Sequence, residues 1–156
     1  MGQHNPQYLP LSRTNFALLL IRIAAGLIFL MHGYQKLFDF GYGGTRDSFD
    51  AWGVPLPALT ALISITLELG GGLMLIAGVY TRIVGFLFAL EMFVAFIVVH
   101  VTHGFFVANN GVELVLLLGA VSLAFVIAGA GQYSFDEMWR LPFSGDWATI
   151  ISGGRR

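Results

Sequence analysis

Long apolar runs alternate with short polar breaks along this chain. The first run follows the polar, turn-rich opening "MGQHNPQYLPLSRTNF" and carries through "ALLLIRIAAGLIFLMHGYQKLF". Residues 16–38, 58–79, 82–101 and 111–131 each approach the ~20 apolar residues that a helix needs to cross a bilayer. The pattern predicts an all-α integral membrane protein, a four-helix bundle of antiparallel spans. Between the first two spans, "DFGYGGTRDSFDAWGVPLP" is rich in Gly, Asp and Pro. It predicts an ordered loop outside the lipid, with Tyr42 and Trp52 suited to the membrane interface. The short "GVYTR" makes spans two and three antiparallel neighbours, and "THGFFVANN" joins spans three and four. The expected organisation is an N-tail over 1–15, a membrane domain over 16–131 and a C-terminal tail over 132–156. In that tail Trp139, Phe143 and Trp147 alternate with charged and turn residues, as in a segment lying along the headgroups. A loose polar tail is the equal alternative.

Composition agrees with a membrane setting. The 156 residues are 56% hydrophobic and 11% charged, against about 25% charged in a typical soluble domain. Mean hydropathy is +0.77. A net charge of -1 excludes an electrostatic nucleic-acid partner. The chain has no cysteine, so it has no thiolate nucleophile, thiolate metal site or disulfide. The first apolar run is too long for a signal peptide and reads as a retained span. Arg13, Arg82, Arg140, Arg155 and Arg156 fall on one side, against Arg46 and the border residue Lys36 on the other. The positive-inside rule then puts both termini in the cytoplasm.

The candidate chemistry lies in polar residues inside the spans. Arg22, Gly26, Phe29, Gly33 and Lys36 form one stripe along the first helix, with His32 beside it. The glycines allow another helix to approach closely, so this face is expected to look into the bundle. A charge there needs an acidic partner. By helical rise, Arg22 lies ~9 Å and Glu91 ~13 Å from the cytoplasmic side, with Glu68 ~15 Å from the outer side. Arg22 is therefore expected to meet Glu68 and Glu91. Two carboxyls against one guanidinium leave one negative charge over, and one carboxyl is expected to hold a proton.

His32, Lys36, His100, His103 and Glu113 form a second, shallower layer in this reading. An ion pair of Arg22 with Glu68 is equally compatible with a purely architectural role. Glu91 leans towards function. His100 lies nine residues after Glu91, nearly opposite on an ideal helix, so both face the bundle centre only if span three bends. Glu113 suits the helix dipole at the start of span four. Gly71 and Gly72 share the face of Glu68 and permit close packing beside it. The spacing of His100, His103, Glu113 and His32 is too weak for a metal centre, and no metal is expected. No phosphate-binding or flavin fingerprint is present.

Read in order, "RIAAGLIFLMHGYQKLF", "PLP", "LELGGGLMLIAGVYTR", "HGFF" with "NGVELVLLL", and "GAGQYSFD" resemble the DoxX family over roughly residues 20–136. Arg22, His32, Gly33, Lys36, Glu68, Gly72, Arg82, His100, Gly111, Glu113 and Asp136 occupy the positions that characterise the resemblance. It implies a small four-helix protein of the bacterial inner membrane, similar to the membrane subunit of an archaeal thiosulfate:quinone oxidoreductase. Other members are linked to membrane complexes that handle thiol and oxidative stress. The implied ligand is a quinone or a small sulfur oxoanion. Without cysteines, electrons must come from a bound cofactor or a partner oxidoreductase.

Three functions stay open at this stage. The first is a redox-associated subunit, catalytic or not, with His32, Glu91 and His100 in catalytic roles and Arg22, Lys36, Glu68, His103 and Glu113 binding ligand. The second is a scaffold that recruits a soluble oxidoreductase. The third is a small transporter, which would need a homo-oligomer.

Overall fold

The computed structural model describes residues 11–139. Helix α1 (Leu11–Tyr34) runs on through a π-helical turn, Gln35–Asp39. A short helix, α2 (Gly41–Ala51), follows. The second span begins as α3 (Pro57–Thr66), passes through a π turn at Leu67–Gly71 and ends as α4 (Gly72–Ala77). Helix α5 (Thr81–Ala95) continues through a third π turn, Phe96–His100, into the 3-10 turn Val101–His103. Helices α6 (Glu113–Ala128) and α7 (Phe135–Trp139) complete the order, and no strand occurs among the described residues. Arg140, Phe143, Trp147, Arg155 and Arg156, on which part of the tail and charge reading rests, lie outside the described residues.

The expected helical membrane bundle is present. Arg13–Asp39, Pro57–Ala77 and Thr81–His103 are long and apolar enough to cross a bilayer. The fourth apolar helix, α6, has 16 residues, about 24 Å at the helical rise. It is shorter than 111–131 for reasons at both ends. At the start, residues 104–112 fold back: Gly111 N–H donates to Phe106 O, Val112 N–H to Gly104 O and Glu113 N–H to Phe105 O. At the finish, Gly129 and Gly131 take φ of 77° and 76°, which only glycine adopts without strain.

The connection after span one is ordered as expected, but eleven of its residues form helix α2. Its glycines disfavour a helix by propensity, and tertiary contact overrides that. Thr45 is buried and its hydroxyl donates to Lys36 O at 2.8 Å, which pins α2 against the end of span one.

Close approach and aromatic packing hold the spans together. The α1–α4 contact depends on glycine: a Cβ at Gly72 would stand 2.9 Å from both Gly26 O and Leu30 N. One at Gly33 would meet Leu69 N at 2.8 Å. The glycine stripe read from the sequence is thus the seam between spans one and two. Helix α5 packs along α6 in the same way, with Gly85 facing Ser122 O. Between the seams, the fully buried Phe29 and Phe88 stack with centroids 3.6 Å apart. Leu20, Phe86, Phe93 and Ile127 are among the large apolar side chains left exposed on the outer faces, where a bilayer covers them.

Candidate functional site

Charged groups inside a bundle must find partners, and this one sorts them into two clusters. Lys36 Nζ lies 2.7 Å from Glu68 Oε2 and donates to Ser64 Oγ at 2.8 Å. Ser64 Oγ donates in turn to Glu91 Oε1 at 2.6 Å. One ammonium, one hydroxyl and two carboxyls therefore form a continuous array across spans one, two and three. The ammonium also stands 5.8 Å from the centroid of the Phe49 ring on α2, within cation–π range.

The array corrects the expectation that Arg22 meets the two glutamates. Lys36, assigned from sequence to the shallower layer, takes that place. Side chains on a helix lean towards its N-terminus. Lys36 therefore reaches back into the bundle from the end of span one. The same lean carries Arg22 away from the array, to the opposite end of the molecule, where Nη1 donates to Ala130 O and Nη2 to Tyr133 O. There it is almost wholly buried.

That end is a structural hub. Arg82 Nη1 donates to Val126 O and Ile127 O, satisfying carbonyls that the end of α6 leaves free. Asp136 accepts from Tyr80 N–H at 2.7 Å and Thr81 N–H at 2.9 Å, capping α5. Its own N–H donates to Gly78 O, so the segment after α6 folds back over the turn between spans two and three.

Above the array opens a cavity of about 520 Å³. Its walls are mostly apolar and include Phe29, Phe49, Trp52, Leu114 and Leu118. Its polar groups are Lys36, Ser64, Glu68 and Glu91 at the floor, with His32, Gln35, Thr60, His100 and Asn110 around them. His100 Nδ1–H donates to Asn110 O at 2.7 Å, which leaves Nε2 as the ring nitrogen available to a ligand. Glu91 Oε2 is a buried atom with no hydrogen-bond partner among the described residues. An apolar chamber with a few converging polar groups is the usual form of a small-molecule site.

His100 and Glu91 line one cavity despite their nine-residue separation. The π turn at Phe96–His100 supplies the required departure from an ideal helix, because it winds more residues into a turn and rotates His100 back towards the Glu91 face. Lys36 and Glu68 also lie in π turns, Gln35–Asp39 and Leu67–Gly71. Such turns recur at functional sites because they re-aim side chains without breaking the helix. His103 is exposed, and neither it nor Glu113 nor Arg22 lines the cavity.

Ser64 was not among the residues singled out from sequence, since a serine in an apolar helix attracts no notice. One signal was available: it precedes Glu68 by four residues, so the two share a helical face. Gln35 was missed for the same reason, and Phe49 because its segment read as a loop.

The model of the DoxX family matches residues 17–101, which include Lys36, Ser64, Glu68, Glu91 and His100. Among curated relatives, an "Uncharacterized protein" of Haemophilus influenzae is 33% identical over 125 residues, covering 78% of this chain and 90% of the relative. "Putative oxidoreductase CatD" of Bacillus subtilis is 39% identical over 106 residues, 68% of this chain and 75% of the relative. "Inner membrane protein YphA" of Escherichia coli is 35% identical over 71 residues, 46% of this chain and 49% of the relative. No solved structure matches the chain significantly.

Proposed function

The chain belongs to the DoxX family of membrane proteins, and from that premise we propose that it is a redox-associated subunit that holds a quinone-type ring above Ser64 and Glu91 and exchanges protons with it. The observation that carries this reading is the Lys36–Ser64–Glu91 array at the floor of an apolar cavity. The name of the Bacillus subtilis relative agrees with a redox setting.

The donor set fits a neutral ring better than a small sulfur oxoanion. The one ammonium at the floor is already paired with Glu68, and Glu91 stands one hydroxyl away. An added anion would meet two carboxyls and one cation. A neutral ring instead packs among Phe29, Phe49 and Trp52 and offers a carbonyl oxygen to the N–H of Lys36 that Ser64 and Glu68 leave free. Two carboxyls and one ammonium are electrically balanced when one proton is shared between Glu68 and Glu91.

A bound quinone would supply two-electron, two-proton chemistry, with electrons from a partner oxidoreductase because this chain has no thiol relay. Glu91 gives or takes a proton at the ring oxygen nearest Ser64, and Oε2 is the atom left free for it. Lys36 steadies the negative charge left on Glu91. His100, whose Nε2 is not used by the Asn110 bond, serves the other end of the ligand, and His32 completes the wall. In this reading Arg22, His103 and Glu113 bind no ligand.

The protein sits in the inner membrane with both termini cytoplasmic. Arg13 and Arg82, near the starts of α1 and α5, support this orientation through the positive-inside rule. The test uses protein in nanodiscs with Trp139→Phe and Trp147→Phe, leaving Trp52 at the cavity wall. A short-tailed quinone should quench Trp52 saturably, and Glu91→Leu, which removes the polar group facing the ring, should weaken that binding about tenfold, the 1.4 kcal/mol scale of one hydrogen bond. Quenching that rises linearly without saturation would remove the quinone from this site.

A further inference from the structure

The cavity differs in how its roof and its side are closed. The aqueous roof is stapled. Hydrogen bonds within 104–113 tie that loop to itself, His100 holds Asn110, and Thr45 holds α2 to the end of span one. Phe49 of α2 and Trp52, the residue after that helix, line the cavity on this side.

The wall between α3 and α5 is built otherwise. These helices join at the Gly78–Tyr80 turn and stay close along α4 and the π turn after α3. Beyond that they diverge, since the main partner of α5 is α6 and that of the second span is α1. Ile63 on α3 and Leu87, Leu90 and Val94 on α5 line the cavity. The same four side chains are exposed, Ile63 at 53% and Leu90 at 52%, although they stand on apolar spans. Apolar residues that face both a cavity and the lipid mark a gap in the wall between them. Ile63 and Val94 lie at similar distances from the turn along their two helices, so they frame that gap from either side. The gap falls inside Pro57–Ala77 and Thr81–His103, two of the helices long and apolar enough to cross a bilayer.

We propose that the cavity is loaded from the bilayer through a lateral opening between α3 and α5, so that its occupant is a lipid-dissolved molecule with a polar ring at Ser64–Glu91 and an apolar tail lying between Ile63 and Val94. This rests on the ring-binding reading above and adds to it the route and the tail. Polar ligands from water are excluded by the route, because they would have to cross lipid to reach it.

The natural chain has no cysteine, so a nitroxide at Leu114→Cys reports from the cavity wall alone. In nanodiscs, lipid-soluble oxygen should relax that label more strongly than a water-soluble nickel chelate. Adding Ile63→Trp and Val94→Trp should roughly halve the oxygen effect by filling the gap. A stronger chelate effect, or an oxygen effect that the tryptophans leave unchanged, would overturn the lateral route. A second variant, Ile63→Cys/Val94→Cys, is bridged after folding by a reducible thiol cross-linker. Its association with a long-tailed quinone should slow by about tenfold and recover on reduction, as for binding gated by a closed door. An association rate indifferent to the bridge would likewise overturn it. If oxygen enters as expected and no quinone binds even the unbridged protein, the ring-binding reading fails and the opening stands.

Discussion

Lys36 and Glu91 come from different spans and are coupled through a single hydroxyl, with Ser64 Oγ 2.8 Å from the ammonium and 2.6 Å from the carboxyl. Ser64→Ala removes that coupling and leaves a buried carboxyl without its donor. An unsatisfied buried group costs about 1–3 kcal/mol. Thermal unfolding in detergent should show a lowered midpoint, and Ser64→Thr, which restores a hydroxyl, should recover most of it. Equal midpoints for Ser64→Ala and wild type would mean that the bridge is not formed in solution.

The Lys36–Glu68 pair is nearly buried on the glutamate side and only partly exposed on the lysine side. Breaking such a pair from one end costs about 3–5 kcal/mol, because the other charge is left alone. Lys36→Met should therefore be more damaging than Lys36→Met/Glu68→Leu, in which both charges go. Denaturant or thermal unfolding of both single variants and the double variant gives the coupling directly. Additive losses would show that the two side chains do not interact.

Arg22 separates architecture from ligand binding. Arg22→Met frees the carbonyls of Ala130 and Tyr133 and should lower stability. Quinone binding, measured well below the unfolding temperature, should be unchanged. A specific loss of binding in stable Arg22→Met protein would return Arg22 to the site.

Asp136 caps α5 with both carboxylate oxygens, each accepting one backbone N–H. Asp136→Ala should cost about 0.5–2 kcal/mol, the range of a lost N-cap. Asp136→Asn keeps one acceptor and should fall between the two. Hydrogen exchange at Tyr80 and Thr81 reads the effect locally, and protection unaltered in Asp136→Ala would contradict the cap.

Gly72 tests the seam between spans one and two. A Cβ there meets backbone atoms on α1 at 2.9 Å, and backbone cannot swing aside as a flexible side chain can. Gly72→Ala should destabilise by about 1–3 kcal/mol through overpacking. Gly70→Ala, where a Cβ meets nothing within 4 Å, is the control and should be at least as stable as wild type. Helix propensity favours alanine over glycine at both positions, so similar losses in both variants would show that the close approach at Gly72 is not the cause.

Much of this architecture follows from the sequence alone, because it depends on properties carried by single residues and their spacing. Apolar run length set the membrane spans. The spacing of Gly26, Gly33 and Gly72 set the face on which spans one and two meet. The lack of apolar alternatives for Lys36, Glu68 and Glu91 meant that they had to turn inward. Even the conflict between Glu91 and His100 was legible, as a demand that span three depart from an ideal helix. Only the tertiary structure decided which cation answers which carboxyl. That choice turns on the lean of long side chains towards the helix N-terminus, which sends Arg22 out to the end of α6 and brings Lys36 in. It also turns on the π turns that re-aim Lys36, Glu68 and His100, and on Ser64, whose partners lie on two other spans. Such couplings are properties of three helices held together, and no local pattern in any one of them records the distance to the next.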